Sequence, residues 1–399
     1  MQRAAFLVMA MVGGYACSSC YHLPTWEGDV QVTARERASL KTCGTGALTD
    51  AGKAAIARWP YIQSTTINST TVAWRSRDGK GEVALRTADG KEVARIKAVP
   101  AGEPDVVKAS FIQLEPTTMY CYQLYAGEVA LTEAAPLTTA TAPDSTEPTY
   151  FVAIGDSGNG GAAEKAIVKR MTAERFDFIV HLGDLAYEEG SPLQIENYFF
   201  TIFRELLRYV PVFPTIGNHE RVTKNGAPYF EAFVLPGNER YYSYDWGDVH
   251  LVAIDTTLPD PVQLAWLASD LERNKRAWTI VYGHHPMYTN SLRGPSPRLR
   301  RAFANLITTY KVDLFLAGHE HQYERFNVSG VNYVVSGGGG GQLTRIFGRS
   351  RAIIQATVHH FLAFEVTASV MNMRVIGIDG RVLDTLRLTK SDAANTATR

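Results

Sequence analysis

A chain of 399 residues, 45% hydrophobic and 20% charged, has the composition of a folded globular protein with room for two or three domains. Those fractions exclude the disordered, collagen-like and coiled-coil classes. Forty basic residues balance forty acidic ones, so no whole-surface attraction to nucleic acid or anionic membrane is expected, and no apolar run long enough to span a bilayer follows the N-terminus.

Residues 1–16 read as an export signal: Arg3 precedes an apolar stretch over 4–12, and Gly14 and Ala16 place small residues before a cleavage point. An exported protein is therefore expected, in the periplasm, the cell envelope or the medium. Lipid attachment at Cys17 stays open, although Gly14-Tyr15-Ala16 matches a lipobox poorly. Cys17, Cys20, Cys43 and Cys121 are too few for a disulfide scaffold. Cys43 and Cys121 are either bridged or two separate thiols. Residues 17–56 show weak patterning and read as a lead-in.

From residue 57 to 142 the hydrophobic period is two. Runs at 70–74, 82–86 and 119–125 are rich in β-formers and are separated by turn signals such as Arg77-Asp78-Gly79 and Ala88-Asp89-Gly90. An antiparallel sandwich follows, with Trp74 in its core. Leu114-Glu115-Pro116-Thr117-Thr118-Met119-Tyr120 has the spacing of a tyrosine corner, in which the hydroxyl reaches back to the upstream backbone. The segment resembles a fibronectin type III module. Residues 142–148, with two prolines and small polar residues, read as a linker.

From 149 to 390 β-type and helical runs alternate. Strands are expected at 150–154, 178–182, 212–216, 250–254, 279–282, 313–317 and 332–335. Ile195, Phe199, Ile202 and Leu206 recur at helical spacing, as do Leu299, Phe303, Leu306 and Tyr310. Three meander-like runs, 361–366, 373–378 and 382–388, close the domain. Sheets covered by helices, an α/β domain, are the expected result.

Five of these strands run directly into a Gly-led polar cluster: Gly155-Asp156-Ser157-Gly158, Gly183-Asp184-Leu185-Ala186-Tyr187, Gly217-Asn218-His219-Glu220, Gly283-His284-His285 and Gly318-His319-Glu320-His321. In α/β folds ligands gather at the carboxyl ends of strands, so these loops are expected to converge. Carboxylate, amide and imidazole donors suit a dinuclear centre of Zn, Fe or Mn, and the lack of cysteine excludes a soft thiolate site. The five blocks in order resemble the signature of the purple acid phosphatases, within the calcineurin-like metallophosphoesterases. The resemblance covers about residues 57–390, and Tyr323-Glu324-Arg325 also fits it. It implies a four-layer α/β domain of two central mixed sheets flanked by helices.

Carried over by position, the resemblance implies that Asp156, Tyr187 and His321 hold one metal, that Asn218, His284 and His319 hold the other, and that Asp184 bridges them. The wider class has a histidine where this chain has Gly158. Tyr187 can replace that ligand as a phenolate, which favours Fe(III) beside a divalent Zn, Fe or Mn. Two such ions polarise phosphate and lower the pKa of a bound water, whose hydroxide attacks phosphorus. His219 is expected to protonate the leaving alkoxide, and His285 to touch the phosphate.

The substrate expected is a small phosphate monoester, hydrolysed with an acidic optimum. A phosphodiesterase or nucleotide phosphohydrolase on the same site is the first alternative. A non-catalytic envelope protein with a residual metal centre is the second. Glu220 is expected to orient the loop around His219. His181 and His250 read as core histidines, and His359 and His360 as strand or edge residues. Glu188-Glu189 reads as a solvated helix start, and the glycines at 337–341 as a flexible loop near the mouth, since no Walker-type Lys-Ser or Lys-Thr follows.

Overall fold

A computed structural model describes residues 41–348 and 351–390. The export signal, Cys17 and Cys20 lie outside these residues. Among the described residues no helix is long and apolar enough to cross a membrane.

The N-terminal strands are β1 (Ile56–Gln63), β2 (Ser69–Ser76), β3 (Glu82–Thr87), β4 (Glu92–Lys97), β5 (Val99–Ala101), β6 (Glu103–Ile112), β7 (Met119–Ala126), β8 (Val129–Ala130) and β9 (Ala135–Thr138). They form two antiparallel sheets ordered β1-β2-β6-β5 and β4-β3-β7-β8, with β9 paired to β7. Period-two alternation turns Val72, Trp74, Val83, Leu85, Tyr122 and Leu124 into one buried layer between them. The Glu115 N–H donates to the Tyr120 hydroxyl at 3.0 Å, which is the bond a tyrosine corner requires. Before β1 the chain is already ordered. Thr49 caps the helix Asp50–Ala55 by accepting from the Gly52 N–H, and Cys43 is bridged to Cys121 of β7 with the Cα atoms 5.3 Å apart.

The second part is built from β10 (Thr149–Ile154), β11 (Phe178–His181), β12 (Val212–Pro214), β13 (Tyr242–Trp246), β14 (Val249–Ala253), β15 (Trp278–Tyr282), β16 (Leu314–Ala317), β17 (Tyr323–Val328), β18 (Val331–Ser336), β19 (Ile354–Ala356), β20 (His360–Val366), β21 (Val370–Gly377) and β22 (Val382–Thr389). Two mixed sheets result, β12-β11-β10-β20-β21-β22 and β13-β14-β15-β16-β18-β17-β19. The expected strands are all present, within a few residues of their expected ends. Their facing sides share one core, in which Phe151, Phe178 and Phe213 meet Tyr244 and Trp246; the rings of Phe213 and Tyr244 stack at 3.8 Å. Helix Pro261–Arg273 buries Leu267 and Leu271 on the far side of the second sheet, with Val252, Val281 and Phe315.

Topology then positions the loops. Within the first sheet β10, β11 and β12 are parallel, and within the second β14, β15, β16 and β18 are parallel. Every carboxyl end of a parallel run therefore opens toward the same side of its sheet. The sandwich is fastened alongside by buried bonds. Arg58 (4% exposed) pairs with Glu196 at 2.8 Å, the Tyr61 hydroxyl donates to Ala232 O at 2.7 Å, and the Tyr122 hydroxyl donates to Arg208 O at 2.9 Å.

Candidate metal centre

Each of the five Gly-led loops leaves the end of β10, β11, β12, β15 or β16. Three of the residues that follow the glycines adopt left-handed backbone: Asp156 (φ 58°), Asp184 (φ 53°) and His319 (φ 70°). Non-glycine residues avoid this region, and clusters of such strain mark sites that the surrounding fold holds in place. The glycines are needed because the loops nearly touch. A Cβ on Gly217 would lie 2.1 Å from Asp184 Oδ1, and one on Gly318 would lie 2.3 Å from Asp156 Oδ2.

The predicted donors converge as two sets. In the first, the Tyr187 hydroxyl lies 3.2 Å from Asp156 Oδ1 and 3.0 Å from His321 Nε2, with His321 Nε2 3.4 Å from Asp156 Oδ1. In the second, His284 Nε2 lies 3.0 Å from Asn218 Oδ1, 3.2 Å from His319 Nδ1 and 3.2 Å from Asp184 Oδ2. Donor atoms of Asp156, Asp184 and His284 all fall within 4.8 Å of one another, so Asp184 stands between the sets. Ligands at ~2.1 Å from one cation and at right angles to each other are ~3 Å apart, which is the spacing of both sets. The residues present thus fit two hard or borderline cations.

Backbone carbonyls aim the imidazoles. His284 Nδ1 bonds Leu182 O at 2.9 Å and His321 Nδ1 bonds Gln342 O at 2.7 Å. A carbonyl only accepts, so Nδ1 carries a proton and Nε2 is the nitrogen turned toward the centre. Glu220 is the other support. Its buried carboxylate accepts the N–H groups of Gly217 (2.8 Å), Asp184 (3.0 Å), Leu185 (2.8 Å) and Ala186 (3.1 Å), tying two donor loops together. The expected role around the His219 loop is thus widened to the Asp184 loop as well.

His219 and His285 sit beside the donors. His219 Nδ1 bonds the Glu188 carbonyl, and its Nε2 lies 3.9 Å from Asp184 Oδ2 with the side chain 28% exposed. His285 Nδ1 bonds the Thr256 hydroxyl at 3.1 Å, and its ring centroid is 4.4 Å from that of His319.

Burial and charge compete throughout. Burial pushes the His284 ring down, but the adjacent Asp184 carboxylate outweighs it and raises the pKa to about 10. Burial would raise Asp184, and the His284 charge holds it below the ordinary carboxylate value instead. Burial, then the His284 charge, pushes His285 down to about 3. Burial, then Asp156, raises the Tyr187 phenol well above its usual value. Without cations a proton is thus shared where ligands converge, and metal binding must displace it.

Gly158 and Tyr187 are coupled directly. The Tyr187 N–H donates to Gly158 O at 2.6 Å, and a Cβ at 158 would lie 2.0 Å from Leu185 O. A histidine at 158 cannot be accommodated by this loop.

Other sequence readings fare unevenly. His181 is fully buried with Nε2 2.9 Å from the Ser157 hydroxyl. His250 is held between Asp245 (2.7 Å) and Asp270 (2.8 Å), a pairing no local pattern announces. His360 opens β20 and His359 precedes it. The glycines at 337–341 are not a mobile-looking mouth loop but buried packing: a Cβ on Gly337 would meet Asp156 Oδ2 at 2.7 Å and one on Gly341 would meet His321 at 2.6 Å. Glu188 and Glu189 lie in an exposed turn rather than a helix start.

Comparison with known proteins agrees with this geometry. Residues 149–323 match the calcineurin-like phosphoesterase family. The chain is 33% identical to a protein of Arabidopsis thaliana named probable inactive purple acid phosphatase 9, over 37% of this chain and 29% of that one. It is 30% identical to acid phosphatase type 7 of Danio rerio, over 44% of this chain and 47% of that one. The matches therefore span less than half the length of these two relatives. A purple acid phosphatase from yellow lupin (Lupinus luteus) seeds superposes with a TM-score of 0.75 at 21% identity, covering 83% of this chain and 74% of that one. This chain carries a calcineurin-like phosphoesterase domain and is homologous to the purple acid phosphatases.

Proposed function

We propose that the protein is an exported two-metal phosphatase that hydrolyses phosphate monoesters, with its domains divided near residues 57–142 and 149–390 and the first of them fibronectin type III-like. Asp156, Tyr187 and His321 would hold Fe(III), Asn218, His284 and His319 a divalent Zn, Fe or Mn, and Asp184 both. The observation that carries this reading is the convergence of seven donors from five loops into two ~3 Å-spaced sets, with Asp184 3.2 Å from His284 and within 4.8 Å of Asp156. Such a cation pair, when bound, supplies charge neutralisation for the phosphoryl oxygens and an activated water.

The protein's own residues supply the rest. With the Nδ1 proton engaged by Glu188 O, His219 is oriented to offer an Nε2 proton to the leaving oxygen, and its partial exposure lets a substrate reach it. The expected optimum is acidic. His285, hydrogen-bonded to Thr256 and packed on His319, would contact a phosphate oxygen from that side.

The test is hydrolysis of phenyl phosphate against bis(phenyl) phosphate by the metal-loaded protein between pH 4 and 8. Faster turnover of the monoester supports the reading, and preference for the diester replaces it with a phosphodiesterase. One relative's name includes the word inactive, the second reading being a non-catalytic role; it is favoured if the metal-loaded wild type turns over neither ester, or if residual monoester turnover is the same in Asn218→Ala and so does not arise at this site.

A further inference from the structure

The rim on the His285–His319 side is made by two loops joined to each other. The Asn290 N–H and the Thr289 hydroxyl are both held by the buried Glu324 carboxylate, at 2.9 and 2.5 Å. Asn290 O accepts from the Phe347 N–H at 2.8 Å, and Ser291 forms an antiparallel bridge with Ile346. The second loop is in turn tied to the centre, since Gln342 O bonds His321 Nδ1 at 2.7 Å and the Thr344 N–H donates to His321 O at 3.1 Å. A bond from the Gly294 N–H to Ser291 O at 3.1 Å closes a turn that presents Leu292 and Arg293.

Arg293 is exposed and, among the described residues, has no hydrogen-bond or ion-pair partner. The turn that carries it is joined to the centre by backbone alone, through the Ser291–Ile346 bridge and the Thr344 N–H bond to His321 O. Leu292 (77% exposed) and Phe347 (51% exposed) stand on either side of the Ser291–Ile346 bridge. Two exposed cations, Arg293 and Arg345, thus accompany two exposed apolar side chains on a rim anchored to His321.

We propose that Arg293 is a specificity-determining residue that takes an anionic group on the leaving side of the ester, so that leaving groups bearing a carboxylate or a further phosphate are preferred. The inference rests on the phosphatase reading. A guanidinium presents a planar fork of donors that matches a carboxylate or phosphate, and an unpaired one need not break an existing bond to do so. Leu292 and Phe347 give the body of the leaving group an apolar wall. Glu320, between His319 and His321, is a buried carboxylate with no ion-pair partner among the described residues. Pairing of Arg293 with Glu320 is the competing use of the same side chain.

The matched probes are phenyl phosphate and 4-carboxyphenyl phosphate, which differ in one remote charge. With wild type, Arg293→Ala, Arg293→Lys and Arg293→Glu at low salt, the quantity read is the ratio of kcat/KM for the carboxylated ester over the neutral one. That ratio should fall ~5–20-fold in Arg293→Ala, chiefly through KM, fall less in Arg293→Lys and most in Arg293→Glu. Added salt should erode the wild-type preference. An unchanged ratio overturns the inference, including the case where both esters slow equally and Arg293 acts by positioning Glu320. Turnover of neither ester by wild type would overturn the phosphatase reading itself; an active wild type with an unchanged ratio overturns the Arg293 inference alone.

Discussion

At the scale of single residues, the centre separates donors from the groups that act beside them. The His219 Nε2 lies 3.9 Å from Asp184 Oδ2, while its backbone N–H bonds Asp184 Oδ1 at 3.1 Å and its ring packs on that of Tyr187 at 4.6 Å. His219→Ala is therefore expected to lower kcat by ~10²–10⁴-fold while the metal content stays at the wild-type level. Loss of metal in that variant would make His219 a ligand instead. Tyr187→Phe removes the phenol that meets both Asp156 and His321. An iron-loaded wild type should show a broad visible band that is absent from Tyr187→Phe; a colourless, iron-free and active wild type would place the protein in the wider metallophosphoesterase class.

Most of this scale is legible in the sequence, because a glycine followed by a donor at a strand end is a local pattern. Asp156, Asp184, Asn218, His284 and His319 each announce themselves in this way, with His321 two residues on, whereas Tyr187 is reached only through the family resemblance, whose wider class has a histidine where this chain has Gly158. What local pattern does not show is a group whose role lies in distant partners. Glu220 binds N–H groups more than thirty residues away, and Arg293 gains its position from the bridge of Ser291 to Ile346.

At the scale of elements, the loops rather than the strands carry the strain. Gly158 is the sharpest case, because the Tyr187 N–H bonds its carbonyl and no side chain fits there. Gly158→Ala should push the Leu185–Tyr187 turn away, destabilise the fold by ~1–3 kcal/mol and lower iron affinity, both measurable by thermal unfolding and metal titration. Glu220→Gln should destabilise by roughly 2–4 kcal/mol, since an amide cannot accept from four N–H groups with both of its ends. A variant as stable as wild type would show that the four bonds are replaceable. The period-two pattern makes the strands readable, whereas the glycines at 337–341 look like a mobile run because their packing partners, Asp156 and His321, are far away in sequence.

At the scale of the whole molecule, the fold holds three cross-links away from the centre. His250 links β14 to Asp245 of β13 and Asp270 of the helix Pro261–Arg273. Burial lowers its affinity for a proton, but the two carboxylates outweigh that and raise the pKa to about 9. A raised histidine pKa stabilises the folded state fully below the unfolded value near 6.5 and loses that contribution as pH rises through about 9. The stability difference between wild type and His250→Gln should accordingly be roughly 2 kcal/mol at pH 6, less than an unscreened pair would give because Asp245 is partly exposed, and should shrink by pH 9.5. A difference independent of pH would contradict the pairing. The Cys43–Cys121 bridge and the buried Arg58–Glu196 pair likewise join segments that the sequence shows only as weakly patterned or alternating.

The most direct test of the whole account is metal stoichiometry by elemental analysis of the purified protein and of Asp184→Asn. The account predicts two ions per wild-type chain, one of them iron, and at most one in the variant that lacks the shared carboxylate. A wild-type chain that binds a single ion, or an Asp184→Asn variant that keeps two with undiminished affinity, would contradict it.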